Sequence, residues 1–337
     1  MPATLVSVAR TWTVQDSPPG AAALALSARV PGLEREAVDR ALLDERTLVA
    51  VYNPRTATSI IPSDELGLFG AALDPLDPLD LPPVLRNAVS AGADAAEALD
   101  LATAAVADAL ADGPLSRDDL HEQLRGRLPA ALLPWCDGCQ SHHARRGLLV
   151  VAGLRGAMCL AGRAGRQVRF ARPEDWLGDA PARPAREDGL RALAERYLAA
   201  FGPATAAPLA DWAGIARGHA RAALAALGDA PPPAGPPPLE GLRLLGAGDP
   251  VLQTRDRERL VPDAALRKRG WAPSGAPGVV LLDGAVAGLW RARKQGRRLT
   301  ITVEPVAGRL DPGALDAEAQ RVAAMRGAAG AEVVCSG

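Results

Sequence analysis

The sequence predicts a mixed α+β chain in which two short helices and a hairpin recur three times ahead of a charged antiparallel sheet. Three observations carry this reading. Apolar residues fall at helical spacing in pairs of short segments, each pair followed by β-prone residues around a turn. Val279-Val-Leu-Leu282, then Asp283-Gly284, then Ala285-Val-Ala-Gly-Leu-Trp290 reads as two strands about a type I′ turn, in which glycine tolerates the positive φ. Between Val251 and Pro305 stand eleven Lys/Arg against five Asp/Glu, in a chain of formal net charge -1, so the positive charge is local.

Taken in order, Leu5 to Trp12 opens the chain and breaks at Gln15-Asp-Ser-Pro-Pro-Gly20. Pro19-Gly20 starts a helix over Ala21 to Val30, and Gly32 to Leu43 gives another. Thr47 to Tyr52 is strand-like, Asn53-Pro54-Arg55 turns, and Ala57 to Ile61 returns. Two helices followed by a hairpin are the parts of a winged helix. In the second repeat Ser116 caps a helix, with Asp119 three residues on as an acidic variant of the capping box. A second helix is expected over Pro129 to Trp135, and strands over Gly147 to Ala152 and Ala157 to Leu160. In the third, Thr205 caps one helix, Ile215 to Leu227 forms the next, and Leu242 to Leu245 is the strand. These units are expected at 1–85, 86–182 and 183–248, with a basic sheet domain at 249–337. Asp74 to Leu85 connects the first two, and Pro231-Pro-Pro and Pro236-Pro-Pro form a long loop in the third. Leu299 to Val303 alternates as a further strand, and Asp311 to Met325 closes the chain as an amphipathic helix with Pro312 in its first turn. Gly327 onward reads as a frayed end.

At 337 residues the chain can form two to three compact units with their own cores. Its 48% hydrophobic and 23% charged residues are those of a soluble globular protein. No apolar run approaches the roughly 20 residues of a membrane span, and no basic segment with an apolar core opens the chain, so a cytoplasmic location is expected. Arg outnumbers Lys 36 to 2 while Ala, Gly and Pro are abundant, which reports a GC-rich coding sequence rather than a preference for DNA. Neither a phosphate-binding G-x-x-x-x-G-K-[ST] loop nor a dinucleotide fingerprint in a strand-to-helix context is present, and no cofactor is expected.

Of the cysteines Cys136, Cys139, Cys159 and Cys335, the first two lie in Cys136-Asp-Gly-Cys139-Gln-Ser-His142-His143, a set of metal-ligand residue types. No second ligand pair stands at the separation usual in structural zinc sites, so turn and packing roles are the preferred reading and no metal is assigned. A cytosolic location argues against disulfides.

A cationic tip on an antiparallel meander suits nucleic-acid phosphates, each contact releasing counterions. Arg255, Arg257, Arg267, Lys268, Arg269, Arg291, Arg293, Lys294, Arg297 and Arg298 are the candidates. The alternative is a solvated hairpin whose arginines protect a sheet edge.

Several motifs in one order resemble the AlkZ-like winged-helix DNA glycosylases over nearly the whole chain. They are Gln15 to Val30, Arg55 followed by Ile60-Ile-Pro62, Leu133-Pro-Trp-Cys136, Trp212, Arg255-Asp-Arg with Leu260-Val-Pro-Asp263, and Leu282-Asp-Gly284 with Gly288-Leu-Trp-Arg291. The resemblance implies tandem winged helices around a DNA-sized channel and a C-terminal β-barrel. It also implies a monomeric, monofunctional glycosylase that removes N7-alkylated purines from double-stranded DNA, including bulky adducts and crosslinks made by bacterial genotoxins, in repair or antibiotic self-resistance. The family's catalytic Gln-x-Gln falls on Thr13 and Gln15, so the chain departs from the pattern at the first position. In the first wing Arg55 and Ser59 are implied DNA contacts, Ser59 standing where relatives often carry His.

N7-alkylation leaves guanine cationic and already a good leaving group, so a held water and a dipole facing the developing sugar cation suffice. A carboxamide oxygen can accept from that water while its NH2 donates elsewhere, and Gln15 is expected in this role. Thr13 could bond the same water. Asp16 could act as base or stabiliser, although alternation in an extended segment points it away from Thr13 and Gln15. The competing reading of these residues is a favourable loop in which Asp16 or Ser17 caps the next helix. Aromatics make up only 3% of the chain, which favours a lesion left stacked over one flipped into an aromatic pocket. At the level of function the alternative is a non-catalytic DNA-binding regulator, with Arg217-Gly-His219-Ala-Arg-Ala as the one modest recognition segment. A metal-dependent hydrolase built on the Cys/His cluster lacks an obvious carboxylate base.

Overall fold

The computed structural model describes residues 4–75, 94–164, 167–179, 181–228, 235–236, 238–272, 274–306 and 308–336. The connector expected over Asp74 to Leu85 lies mostly outside these, as do the 85/86 boundary and the Pro231-Pro-Pro loop. The chain groups into two compact units. One joins Met1–Arg40 to Ala234–Gly337, and the other is Ala41–Pro233.

The first unit opens with α1 (Leu5–Trp12), capped by Thr4, whose Oγ1 accepts from Ser7 N while Ser7 Oγ accepts from Thr4 N. It closes at Thr13 in the left-handed region, followed by the two-residue strand β1 (Val14–Gln15). Helix α2 (Ala21–Ser27) is buried along almost its whole length, because its Ala and Leu residues offer no polar face to water and the Ser27 hydroxyl donates to Leu24 O. Helix α3 (Arg35–Leu43) carries the chain across into the second unit.

The second unit holds hairpin β2 (Leu48–Tyr52) and β3 (Thr58–Pro62), then α4 (Leu66–Leu73) and α5 (Ala95–Ala109). After β4 (Leu115–Ser116) come α6 (Arg117–Arg125) and a small hairpin of β5 (Trp135–Cys136) and β6 (Ser141–His142). Helix α7 (Arg146–Leu154) is followed by β7 (Cys159–Ala164), β8 (Gln167–Ala171) and α8 (Pro173–Leu177). Helices α9 (Arg186–Phe201), α10 (Ala206–Ala213) and α11 (Arg217–Ala225) complete it. Strands β3, β2, β7, β8 and β4 lie side by side in that order, with Ala50 opposite Leu160 joining the two hairpins.

Ser116 caps α6 as expected, its Oγ accepting from Asp119 N at 3.2 Å. Gly147 to Ala152 is helix, not strand. The run is apolar on every side and buried on every side, a pattern that fits either element and that packing against α4, α5 and β2 decides. Pro129 to Trp135 supports only a single 3-10 turn, Ala130–Leu132, because Pro134 disfavours helical geometry at Leu133. Thr205 stands at the start of α10 but makes no capping bond with its side chain.

Back in the first unit, β9 (Leu242–Leu245) leads to the short helices α12 (Arg257–Leu260) and α13 (Ala264–Gly270). Then β10 (Gly278–Leu282), β11 (Ala285–Gln295), β12 (Arg298–Pro305), α14 (Pro312–Met325) and β13 (Gly330–Cys335) form a curled sheet in the order β13-β12-β11-β10-β9. The Asp283-Gly284 turn has φ of 47° and 83°, as a type I′ hairpin requires. Two expectations are corrected here. Leu242 to Leu245 is not the wing of a third repeat but the edge strand against β10, Val280 standing opposite Leu244. The tail is no frayed end: β13 pairs in parallel with β12, Ile301 opposite Val333, and α14 is the crossover that such pairing needs. The sheet is therefore antiparallel in four strands and parallel at one edge. Gly278 is required beneath Trp290, whose ring an added Cβ would strike and whose Nε1 donates to Leu245 O at 2.8 Å.

Candidate functional site

The loop after α1 is shaped by hydrogen bonds within itself and to the start of α2, and by close packing of the segment after β9. Val14 is fully buried and flanked by the half-buried Thr13 and Gln15. Thr13 has φ 51°, an unusual conformation for a β-branched residue, so the alternation assumed for 13–16 holds only from Val14 onward. Gln15 Nε2 donates to Ser17 O at 3.0 Å. Asp16 Oδ1 accepts from Gly20 N at 2.8 Å and Ala22 N at 3.0 Å, so this carboxylate caps α2, where the helix dipole favours negative charge. Over the loop lies Gly248, where a Cβ would stand 3.3 Å from Ser17 O and 3.8 Å from Gln15 Nε2. Sequence reasoning gave Gly248 no role, because nothing local marks a glycine that fits against a loop 230 residues earlier.

Two charged networks, also unanticipated, hold this arrangement. Arg29, on the turn after α2, makes a bidentate pair with Asp249 at 2.9 and 2.7 Å, with side-chain exposures of 6% and 1%. Arg29 also donates to Ala25 O and lies over the Trp12 ring, while Asp249 accepts from Val251 N. Arg321 of α14 donates to Leu24 O, Ser27 Oγ, Leu244 O and Glu318, and Glu318 in turn accepts from Leu244 N. Helix α2 is thereby bonded to both β9 and α14.

The basic residues divide by what they touch. In the β11–β12 hairpin Arg291 stands opposite Thr302, Arg293 opposite Thr300 and Gln295 opposite Arg298, so Arg291, Arg293 and Arg298 share one exposed sheet face, with Arg297 in the turn. Arg291 donates to Gly275 O, and Lys294, on the opposite face, reaches Gly327 O at 3.4 Å. Arg267 bonds Val261 O, Pro262 O and Glu258, Arg269 pairs with Glu304, and Lys268 is exposed. Arg255 and Arg257 are half-buried. Arg257 lies over Trp271, and its burial lowers the guanidinium pKa.

In the second unit Asn53 is buried in the β2–β3 turn. Its Oδ1 accepts from Arg55 N and Ala57 N, and its Nδ2 donates to Ser59 Oγ at 2.9 Å. Ser59 is 1% exposed, so in this structure it braces the turn that presents Arg55 rather than offering its own hydroxyl outward. Among the described residues, one group has its donor atoms gathered as a metal ion would need: Cys136, Cys139 and His143, within 4.8 Å of one another. His142, expected beside them, is turned away with Nδ1 on Leu133 O and its ring against Trp135.

No helix among the described residues is long and apolar enough to cross a membrane. No curated protein matches the sequence. Among solved structures the chain is similar to the Streptomyces sahachiroi DNA glycosylase AlkZ, with a TM-score of 0.77 and 21% identity over 99% of this chain and 94% of that one. A family model described as "DNA glycosylase AlkZ-like" matches residues 8–325. With that match spanning the Gln15 loop, the helices of the second unit and the charged sheet alike, the chain belongs to the AlkZ-like DNA glycosylase family.

Proposed function

We propose that this glycosylase hydrolyses the N-glycosidic bond of N7-alkylated guanine in duplex DNA, with a preference for bulky adducts of the kind genotoxins leave, in repair or self-resistance. The observation that carries the site assignment is the bond from Gln15 Nε2 to Ser17 O. It holds the carboxamide with Oε1 as its remaining acceptor, the arrangement that orienting a water at C1′ calls for. Asp16 is then a positioning residue, its carboxylate engaged by the α2 backbone. Thr13 supplies at most one hydroxyl where relatives have a second amide.

On the DNA side the proposal assigns phosphate contact to Arg291, Arg293, Arg297 and Arg298, whose shared exposure supports it. Arg55 serves the first wing. A winged-helix reading of the second repeat is supported by its order α5, β4, α6, α7, β7, β8, with β4 paired to the last strand, Leu115 opposite Phe170. The test is incubation with duplexes carrying N7-alkylguanines of increasing size. Free modified base and an abasic strand are expected from wild type, and Gln15→Ala should lose turnover while retaining binding. A stable complex with intact DNA for every adduct would overturn the proposal in favour of a non-catalytic binder.

A further inference from the structure

The connection from α6 to α7 runs for 20 residues, and Arg125 at the end of α6 bonds its returning strand at Ser141 Oγ and His142 O. Leu128, Leu132, Leu133 and Ala144 reach the core, but the β5–β6 hairpin between them is largely exposed, with Trp135 half in solvent. Connections this long inside a compact unit usually carry either function or their own fastening.

At the hairpin's end three donor side chains converge, with a fourth beside them. Cys136 and Cys139 follow the C-x-x-C spacing of a metal-binding knuckle, and their sulfurs lie within 4.8 Å of each other and of a His143 ring nitrogen. His143 Nδ1 is bonded to Ala144 O at 2.8 Å, the carbonyl contact that fixes the tautomer of a metal-ligating histidine and leaves Nε2 with its lone pair. That Nε2 is buried and has no hydrogen-bond partner. From α6 comes His121, its ring 4.7 Å from the His143 ring between centroids and its Nδ1 likewise buried without a partner. Buried ring nitrogens are costly to leave unsatisfied, and two on adjacent rings, one of which is gathered with two thiols, call for a common partner.

We propose that Cys136 Sγ, Cys139 Sγ, His143 Nε2 and His121 Nδ1 bind one zinc ion, which fastens the β5–β6 hairpin to α6. The donor set is the Cys2His2 of structural zinc sites, closed at four ligands and therefore without an open position for chemistry. Binding requires the sulfurs and the His143 nitrogen to draw in from their present spacing to about 3.5 Å, the edge of a zinc tetrahedron, and the His121 ring to turn toward them. Two thiol protons leave as the ion enters, so the bound site is electrically neutral and tolerates its half-buried position. His121 completes what the sequence pattern lacked: the fourth ligand lies upstream of the C-x-x-C pair, on the preceding helix.

The test uses the full-length chain in the presence of a non-thiol reductant, with zinc and, separately, cobalt as probes. Wild type is expected to retain one equivalent of zinc after desalting and to give the visible absorption of tetrahedral cobalt with thiolate charge transfer. Chelation should lower its thermal midpoint. Cys136→Ser with Cys139→Ser should abolish the cobalt spectrum. His121→Ala and His143→Ala should weaken zinc binding at least about tenfold, since losing even an outer partner of a metal ligand costs that much, and His142→Ala should leave it unchanged. Failure of wild type, shown folded by circular dichroism, to hold zinc or to give the cobalt spectrum would overturn the proposal. So would metal binding that survives loss of both cysteines, or that depends on His142 and not on His121.

Discussion

Asp249→Ala removes one partner of a buried bidentate pair and leaves Arg29 charged, 6% exposed, between Trp12 and the end of α2. Breaking a buried pair from one side costs about 3–5 kcal/mol, because the remaining charge keeps its desolvation penalty and loses its compensation. The Val251 N–H loses its acceptor as well. Against a total stability on the order of 5–15 kcal/mol this is a large fraction, and it falls on the joint between α2 and the segment carrying Gly248. The assay is urea denaturation of wild type, Asp249→Ala and the double variant Arg29→Leu/Asp249→Ala, followed by tryptophan fluorescence. The single variant is expected to lose about 3–5 kcal/mol and the double variant less, since no charge is then stranded. A single variant within about 1 kcal/mol of wild type, or a double variant no more stable than the single, would refute this account of the Arg29–Asp249 pair.

Three further outcomes follow from the geometry. If Arg297 and Arg298 each neutralise a phosphate, replacing both with Ala lowers the slope of log affinity against log salt by about 1.8, and an unchanged slope in a DNA-binding titration removes the turn from the interface. Thr13→Gly relieves a left-handed conformation worth about 1–2 kcal/mol and gives back about 0.5–1 in chain entropy, so thermal unfolding should show a variant at least as stable as wild type. A loss above about 1 kcal/mol there would mean that other contacts of the threonine outweigh its strain. Burial pushes the Cys159 thiol up to about 12, so it stays protonated and enclosed at pH 8 and mass spectrometry should find it unalkylated under conditions that label the exposed Cys335.

What the sequence settled by itself is what neighbouring residues settle among themselves. Strand β11 runs on to Gln295 and shortens the turn expected over Arg291 to Arg298 before β12, but the Asp283-Gly284 turn, the Ser116 cap and the Pro312 start of α14 depend on contacts a few residues apart, and each stands where it was expected. So did the competing reading of Asp16 as a helix cap. Tertiary structure decided the remainder. An all-apolar run such as Gly147 to Ala152 carries no period, so burial on all sides chose helix. Strand β9 found its partner in β10, α2 was bonded to residues more than 200 positions away by Arg29–Asp249 and Arg321, and His121 was brought against His143 across a hairpin. Hydrogen bonds and ion pairs of that reach leave no local pattern, because the two partners share no constraint until the core has formed and excluded water from between them.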